Sequence, residues 1–407
     1  MKILVISQYF YPEEFRINDV VKGLSERGHE VTVLTGMPNY PKGTLFDDYS
    51  WWGPYSEILD GSMIIRVPQI TRGKGNTIRL ALNYLSFALS ACFFGIMRCS
   101  GRFDIIFVCQ LSPATVGIPA RFIARIKNVP ILFWVQDLWP ESLSATGAIN
   151  SPFILSMVRK MVQWIYKGCT KILVQSLAFV NPIVEMGVRK DDIVFFPNGA
   201  ETLFQTTNPP IWDGPSLPDG FHVMFAGNIG KAQSFETILT AAKLLKTHTH
   251  IHWIILGDGR DRDWVCKQII ARDLQQNVHI MGRHPVKDMP KWFAKADVML
   301  ATLSKKPIFA LTVPAKIQSY LAFGKPIISA IDGETANVVR NSGAGYTVAS
   351  EDAKALSEAI LKMSSLPRSQ LIELGDNGKK YFAENYDREM LLDRLENWCK
   401  RVLEKEI

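Results

Sequence analysis

The sequence predicts an α/β chain of two doubly wound, Rossmann-like domains facing each other across a cleft. Three observations lead there: a length of 407 residues, two successive series of short apolar runs alternating with helical patterns, and a Pro-, Gly- and Asp-rich stretch between the series. Such a length exceeds one ordinary domain and suits two of roughly 200 residues. Apolar residues make up 47% and charged residues 21%, the balance of a folded globular protein rather than a disordered chain.

The first series is Ile3–Ser7, Val31–Thr35, Met63–Val67, Asp104–Cys109, Ile131–Val135, Lys171–Val174 and Ile193–Phe196. The second is His222–Ala226, His252–Leu256, Val278–Met281, Asp297–Leu300, Pro326–Ser329 and Tyr346–Val348. These runs are apolar or β-branched without strict alternation. That marks strands buried on both faces, as in parallel sheets covered by helices. Gln205 to Gly220 reads as the interdomain linker. The expected boundaries are therefore 1–204, a linker at 205–220, a second domain at 221–386, and a charged amphipathic helix at 387–407 that crosses back to the first domain. Ligands of such sheets bind at the carboxyl ends of the strands, so the cleft is the expected active site.

The net charge of +7 is unevenly placed. From Gly61 to Lys190 the only acids are Asp104, Asp137, Glu141 and Glu185, against fifteen Lys and Arg. A basic half-molecule attracts a polyanion: nucleic acid, an anionic leaflet or a phosphate ligand. Nucleic acid fits poorly, because the aromatics sit in strands and apolar helices rather than among the basic residues. The six cysteines form no CxxC pair, which fits a reducing cytoplasm better than a disulfide framework or zinc site. The opening MKILVISQYF reads as a buried first strand rather than a signal peptide.

Two helical stretches in the first half are unusual. Ile78 to Met97 is apolar nearly all round and flanked by Arg and Lys. Its length approaches the roughly 20 residues of a spanning helix. Arg79 and Asn83 interrupt it and a strand follows, so a helix lying partly on the sheet and partly in the lipid interface is expected, with an ordinary core helix as the alternative. Ser151 to Lys171 carries Phe153, Ile154, Met157, Met161, Trp164 and Ile165 opposite Arg159, Lys160, Lys167 and Lys171, without an acid. That is the composition of an interfacial binder, or of a helix docked on the sheet with a solvated basic face.

Three segments offer chemistry. In FAGNIGKAQSFETIL a strand ends at Ala226 and a loop of Gly227, Asn228, Ile229, Gly230 and Lys231 precedes a helix. Glycines let a phosphate approach the backbone, a helix N-terminus donates N–H groups, and Lys231 adds charge. In TVPAKIQSYLAFGKPIISA a loop ends at Pro314, and Lys316 and Gln318 fall in the first turns of a helix. In FWVQDLWPES an aromatic strand ends in Gln136 and Asp137. An acid there is placed either for catalysis or to cap the next helix.

These segments carry a resemblance. Their order is similar to that of the retaining family 4 glycosyltransferases of the GT-B fold, over nearly the whole chain. Matching stretches include Tyr9-Phe10-Tyr11-Pro12 followed by Arg16, RGHEVTVLT (Arg27 to Thr35), LVQS (Leu173 to Ser176), FPNGAETLF (Phe196 to Phe204), FAGNIGKAQ, LGDG (Leu256 to Gly259), MGRHP (Met281 to Pro285), KADVML (Lys295 to Leu300) and VPAKIQSYLAFGKPII. The PAK and QDLWPES versions look most like bacterial enzymes that build O-antigen, capsule or colanic-type polysaccharides, including N-acetyl-L-fucosamine transferases.

The resemblance implies a UDP-sugar donor, no metal or other cofactor, and a polyprenyl-diphosphate-linked saccharide as acceptor on the cytoplasmic face of the inner membrane. It implies that Gly227, Asn228 and Lys231 approach the diphosphate and that Gly282 and Arg283 lie near the base. Pro314 and Lys316 would meet phosphate or sugar, and Gln318 the ribose. In the first domain it implies Arg16 and Asn18 near acceptor or diphosphate, with Asp137 and Gln136 beside the reacting sugar. Several positions depart from the family pattern. The usual catalytic His appears as Gln136, the paired acids as Ala310 and Gln318, the first-loop Gly-Gly as Glu14-Phe15, and the phosphate-loop Arg as Asn228. The family's His commonly touches the donor's 6-hydroxyl, so its loss fits a 6-deoxy donor. Two other readings share the architecture: a nucleotide-sugar 2-epimerase, and a non-catalytic nucleotide-sugar binding subunit.

Overall fold

The protein is described here from a computed structural model, which covers residues 1–145, 147, 149–206 and 211–404. The chain divides into two compact units, Met1–Pro197 with Glu389–Ile407, and Asn198–Arg388. Within the expected linker, residues 207–210 lie outside the described ones.

Unit 1 is built on β1 (Lys2–Ile6), β2 (Glu30–Gly36), β3 (Ser56–Leu59), β4 (Ser62–Val67), β5 (Ile105–Gln110), β6 (Ile131–Val135), β7 (Lys171–Val174) and β8 (Ile193–Phe195). Their spatial order is β3-β4-β2-β1-β5-β6-β7-β8. Every pairing is parallel except β3 with β4. Its helices are α1 (Arg16–Glu26), α2 (Thr77–Arg98), α3 (Gly117–Lys127), α4 (Glu141–Ala145), α5 (Pro152–Tyr166) and α6 (Val180–Glu185). Strands β1, β5 and β6 are buried almost throughout because helices cover both sheet faces, which is why they read as unbroken apolar runs. Strand β3 escaped the expectation. It is a short edge strand whose side chains alternate between exposed and half-buried, so no apolar run marks it. Its signal was the turn: Asp60 and Gly61 both adopt positive φ, 48° and 77°, as a two-residue hairpin of the Asp-Gly kind requires.

Unit 2 contains β9 (Phe221–Ala226), β10 (Ile251–Leu256), β11 (Val278–Gly282), β12 (Val298–Thr302), β13 (Ile327–Ala330) and β14 (Gly345–Val348). They form one parallel sheet ordered β11-β10-β9-β12-β13-β14. The surrounding helices are α7 (Phe235–Leu244), α8 (Arg262–Ala271), α9 (Met289–Lys295), α10 (Pro307–Ala310), α11 (Ala315–Phe323), α12 (Glu334–Ser342), α13 (Ala353–Ser364) and α14 (Arg368–Asn385). In each sheet the chain builds outward from the first strand in one direction, then returns to start on its other side. That reversal lies between β1 and β5 in unit 1 and between β9 and β12 in unit 2, and it leaves a crevice at the carboxyl ends.

The final helix, α15 (Arg388–Glu404), belongs to unit 1. Leu391, Leu392, Leu395, Cys399 and Val402 join the core of Ile3, Val5, Ile17, Val21 and Leu24. Arg27 grips Glu389 and Asp393 at 2.7 Å each, and His29 meets Glu396 at 2.9 Å.

The boundary between the units falls earlier than expected. Ala200 and Phe204 lie in the core of unit 2, and Phe204 stacks on Phe293 of α9 at 5.2 Å. Trp212 meets Trp292 edge-on at 4.8 Å, and Asp213 pairs with Lys291 at 2.7 Å. Pro and Gly in this stretch signal irregular backbone, whereas the aromatics decide where it packs.

Helix α2 is long and apolar enough to cross a membrane. It lies on unit 1 through Asn83, Phe87, Ala88, Ala91 and Gly95. Its opposite face is a stripe of exposed Ile78, Leu82, Leu85, Leu89, Phe93 and Met97, with Ile78 75% and Leu89 71% exposed. The stripe extends over neighbouring helices. Phe122 and Ile126 of α3 are exposed, as are Phe153, Met157 and Trp164 of α5. The Phe122 and Trp164 rings are 6.4 Å apart, and Arg121 covers Trp164. Helices α2, α3 and α5 hold Arg79, Arg98, Arg121, Arg125, Lys127, Arg159 and Lys160 and no acid.

Candidate active site

The unit 2 crevice is assembled mainly from backbone. Strand β9 ends at Ala226, whose carbonyl accepts from the buried Tyr320 hydroxyl of α11 at 3.3 Å. The Gly227 N–H then donates to Leu256 O at 2.9 Å and the Gly257 N–H to Gly282 O at 2.7 Å, which aligns the ends of β9, β10 and β11. Only glycine fits at 257, where a Cβ would stand 1.8 Å from Gly227 O and φ is +143°. Ile229 N–H donates to Asp258 O, so the loop Gly227–Lys231 nests on the loop after β10. On the other side of the crevice Thr302, at the end of β12, holds the Gln233 carbonyl.

Lys316 sits in this frame. It is the second residue of α11, whose N-cap is Pro314. Its Nζ donates to Gln233 Oε1 at 2.9 Å and lies 4.0 Å above the Phe225 ring. A methyl group on Gly227 would stand 2.9 Å from that Nζ. Among the described residues no carboxylate pairs with it, and burial pushes the ammonium down to about 7. Lys231 begins the turn that ends at Gln233, so both lysines serve one corner. Asn228 and Lys231 are exposed there, and exposed Arg283 directly follows Gly282.

Gln318 is placed differently from the expectation. Its side chain is fully buried, and its amide donates to the carbonyls of Pro314 and Ala315 at 3.0 and 3.2 Å. It fastens the start of α11 and presents no atom to a ribose. The helical period explains this: two positions after Lys316 the side chain has turned into the protein.

In unit 1, Gln136 and Asp137 follow β6. Asp137 Oδ2 accepts from Ser142 Oγ at 3.0 Å and Trp139 Nε1 at 3.2 Å. Ser112 and the Leu138 N–H also donate, yet burial pushes the carboxyl up to about 6. The acid thus pins the start of α4 and also stands at the strand-end crevice. Gln136 is tied by its backbone, N–H to Gln110 O at 3.0 Å and carbonyl from Gln175 at 3.4 Å. Arg16 opens α1. Asn18, two residues on, donates to Glu13 O at 2.7 Å and lines a 150 Å³ hollow with Phe10, Tyr11, Asp19, Lys22 and Asp60.

The geometry now has a family. Residues 14–199 match the family model described as a glycosyl transferase 4-like domain, and residues 213–398 match the model for glycosyl transferases group 1. The chain is a glycosyltransferase of the GT-B fold. It is 24% identical, over 98% of its length and 99% of the relative's, to the putative colanic acid biosynthesis glycosyl transferase WcaI of Escherichia coli K12. Its fold is similar to that of Anabaena HepE, solved with UDP and glucose (TM-score 0.68, 14% identity, 98% and 99% of the chains covered). It is also similar to sucrose-phosphate synthase from Thermosynechococcus elongatus (TM-score 0.73, 16% identity, 99% of each chain). With both halves matching transferase models, the transferase reading displaces the epimerase and non-catalytic ones.

Glu13 of the transferase was not foreseen. Its buried carboxylate accepts three backbone N–H groups, Asn39 at 2.7 Å, Tyr40 at 2.8 Å and Phe10 at 3.1 Å. Burial pushes it up to about 7 against the pull of those donors. It joins the loops after β1 and β2, which form one wall of the unit 1 crevice. An acid after Pro12 looks like surface in the sequence, and nothing local announces its burial. Glu13→Gln turns an amide N–H₂ toward backbone donors. It is expected to cost about 1–3 kcal/mol of unit 1 stability in urea unfolding; an unchanged midpoint would show that the clamp is dispensable.

Proposed function

We propose that this glycosyltransferase moves a sugar from a UDP-sugar, with retention of anomeric configuration, onto a polyprenyl-diphosphate-linked saccharide. The reaction would take place at the cytoplasmic face of a bacterial inner membrane, during synthesis of a surface polysaccharide. The observation that carries the reading is Lys316: an ammonium with no acidic partner among the described residues, beside Gly227 at the point where the unit 2 sheet reverses. A partly buried, uncompensated cation is costly, and a bound diphosphate relieves that cost. The UDP in HepE and the polysaccharide role named for WcaI support donor and pathway class.

In this scheme Lys231, Lys316 and the N-terminus of α11 bind the diphosphate, and Gly282 and Arg283 adjoin the base. These positive groups stabilise the charge that grows on the leaving phosphate, without a metal. The acceptor hydroxyl attacks the anomeric carbon from the side the diphosphate leaves, and the departing phosphate oxygen takes its proton. Asp137, after β6, and Arg16, at the start of α1, orient the acceptor.

UDP is expected to raise the melting temperature of the protein without added metal. Its affinity should depend on pH through Lys316. Below about 7 the ammonium is already charged and Lys316 takes up no proton on binding. Above that, UDP must draw a proton onto Lys316, so affinity falls as pH rises, by at most about tenfold per unit. Calorimetry in buffers of different ionisation heat measures the uptake. Lys316→Ala should abolish it and weaken UDP binding roughly 10- to 150-fold. Equal affinity and equal proton uptake in the variant would refute the assignment.

The apolar, acid-free face of α2, α3 and α5 supports the membrane location, as a basic amphipathic surface is drawn to anionic lipid. Leu89→Asp should reduce co-sedimentation with phosphatidylglycerol vesicles by roughly tenfold or more. Undiminished sedimentation would remove this face from the scheme. Gln136 in place of the His that meets a donor 6-hydroxyl supports a 6-deoxy sugar such as N-acetyl-L-fucosamine. Turnover of paired donors tests it: faster transfer from the 6-hydroxy sugar would rule the 6-deoxy donor out.

A further inference from the structure

Arg72 lies between the carboxyl end of β4 and the start of α2, and among the described residues no carboxylate holds it. Its backbone N–H donates to Asn39 Oδ1 at 2.9 Å. Its Nη1 donates to the Tyr9 hydroxyl at 2.9 Å. The guanidinium carbon stands 5.6 Å from the Tyr9 ring centroid and 5.2 Å from that of Tyr40. Tyr9 is buried and in turn donates to Asn83 Oδ1 at 3.2 Å, so the hydroxyl under the arginine is fixed. Arg66, nearby on β4, is also enclosed, but it closes on Glu57 at 2.5 Å. Among the described residues, no acid does the same for Arg72, and its Nη2 and Nε have no protein acceptor.

This arrangement has the requirements of an anion receptor. Two aromatic rings and a hydroxyl hold the guanidinium plane, so its free N–H edge is pre-set for the paired oxygens of a phosphate. The place also matters. The exposed apolar stripe of α2 begins at Ile78, with Lys74 and Arg79 beside it. Tyr84 of α2 feels the charges of both Arg72 and Asp137, its hydroxyl bonds Ser112, and its ring lies 6.1 Å from that of Trp139. An anion on Arg72 therefore sits between the lipid-suited face and the acid at the end of β6.

We propose that Arg72, clamped by Tyr9 and Tyr40, receives the diphosphate of the lipid-linked acceptor and so selects prenyl-diphosphate carriers over uncharged sugars and other anionic lipids. This rests on the acceptor class proposed above. The prenyl chain follows the α2 stripe, and the sugar attached to the diphosphate extends toward Asp137. Asn39 and Glu13 are positioning residues: Glu13 fixes the loop, and Asn39 fixes the backbone of Arg72.

The test measures binding of the full chain to neutral phosphatidylcholine vesicles carrying a prenyl diphosphate. Parallel arms use phosphatidylcholine–phosphatidylglycerol vesicles of equal charge, and inorganic pyrophosphate as a soluble competitor. Arg72→Ala and Arg72→Lys should each weaken binding to the prenyl-diphosphate vesicles roughly tenfold or more, since lysine keeps the charge but loses the fork. Binding to phosphatidylglycerol and the UDP melting shift should stay unchanged, and the latter also reports an intact fold. Equal loss on both vesicle types would reduce Arg72 to general surface charge and overturn the proposal, as would no loss at all. Pyrophosphate competing as well as the lipid would place a free phosphate there instead. If UDP fails to stabilise the unaltered protein, the transferase scheme fails by itself. UDP stabilisation with Arg72-independent lipid binding sinks only the receptor.

Discussion

A parallel sheet that reverses its direction of growth cannot close its own carboxyl edge, and this constraint governs both halves of the molecule. The chain leaves β9 on one side and β12 on the other, so the loops after them separate at the carboxyl edge. In unit 2 one wall of the gap is consolidated by Gly257, whose missing Cβ lets the loops after β9 and β10 touch. The gap is then loaded with charge by Lys316, which no carboxylate among the described residues neutralises. Electrostatics inside such a crevice are strong because water is partly excluded. The same burial that lowers the lysine's proton affinity raises the value of any anion that restores it.

Unit 1 meets the constraint with a different solution. Its crevice loops are bound to one another through a carboxylate, Glu13, that takes up three backbone donors. Those loops hold Asn39 and Tyr40, which in turn hold Arg72. The line from backbone satisfaction to a poised guanidinium is continuous, and each link is a hydrogen bond or a ring contact. Helix α2 adds the second half of the design. One face anchors the polar network through Asn83 and the other leaves aliphatic side chains in solvent. An isolated patch of that extent is unfavourable in water, and the lipid contact proposed above would cover it.

Much of the fold was legible because burial on both sheet faces writes itself as apolar runs. All thirteen expected strands are present, and only β3, an edge strand governed by its Asp60-Gly61 turn, lacked such a run. The glycine loop and Lys316 were legible too, since loop glycines and a lysine at a helix start follow local rules. Three features were not. The unit boundary depended on where Phe204 and Trp212 find aromatic partners, which is a tertiary question. Glu13 and Arg72 act through residues far along the chain, so no local spacing marks them. Gln318 was misplaced because a residue near a helix start was assigned to the crevice without asking which side of the helix it occupies.

Three of the departures from the family pattern share a direction. Asn228, Gln318 and Gln136 are neutral where the pattern has an arginine, an acid and a histidine. Losing the acid removes an anion that would compete with phosphate for the nearby lysine. Losing the arginine removes a cation that would share the phosphate with it. The charge balance of the crevice thereby falls more heavily on Lys316 and Lys231, and Gln318 is freed to fasten the first turn of α11 from inside. In the scheme proposed above, the anion is bound through few, well-placed charges. Its affinity is accordingly more sensitive to the protonation of a single buried lysine than a site with several permanent cations would be.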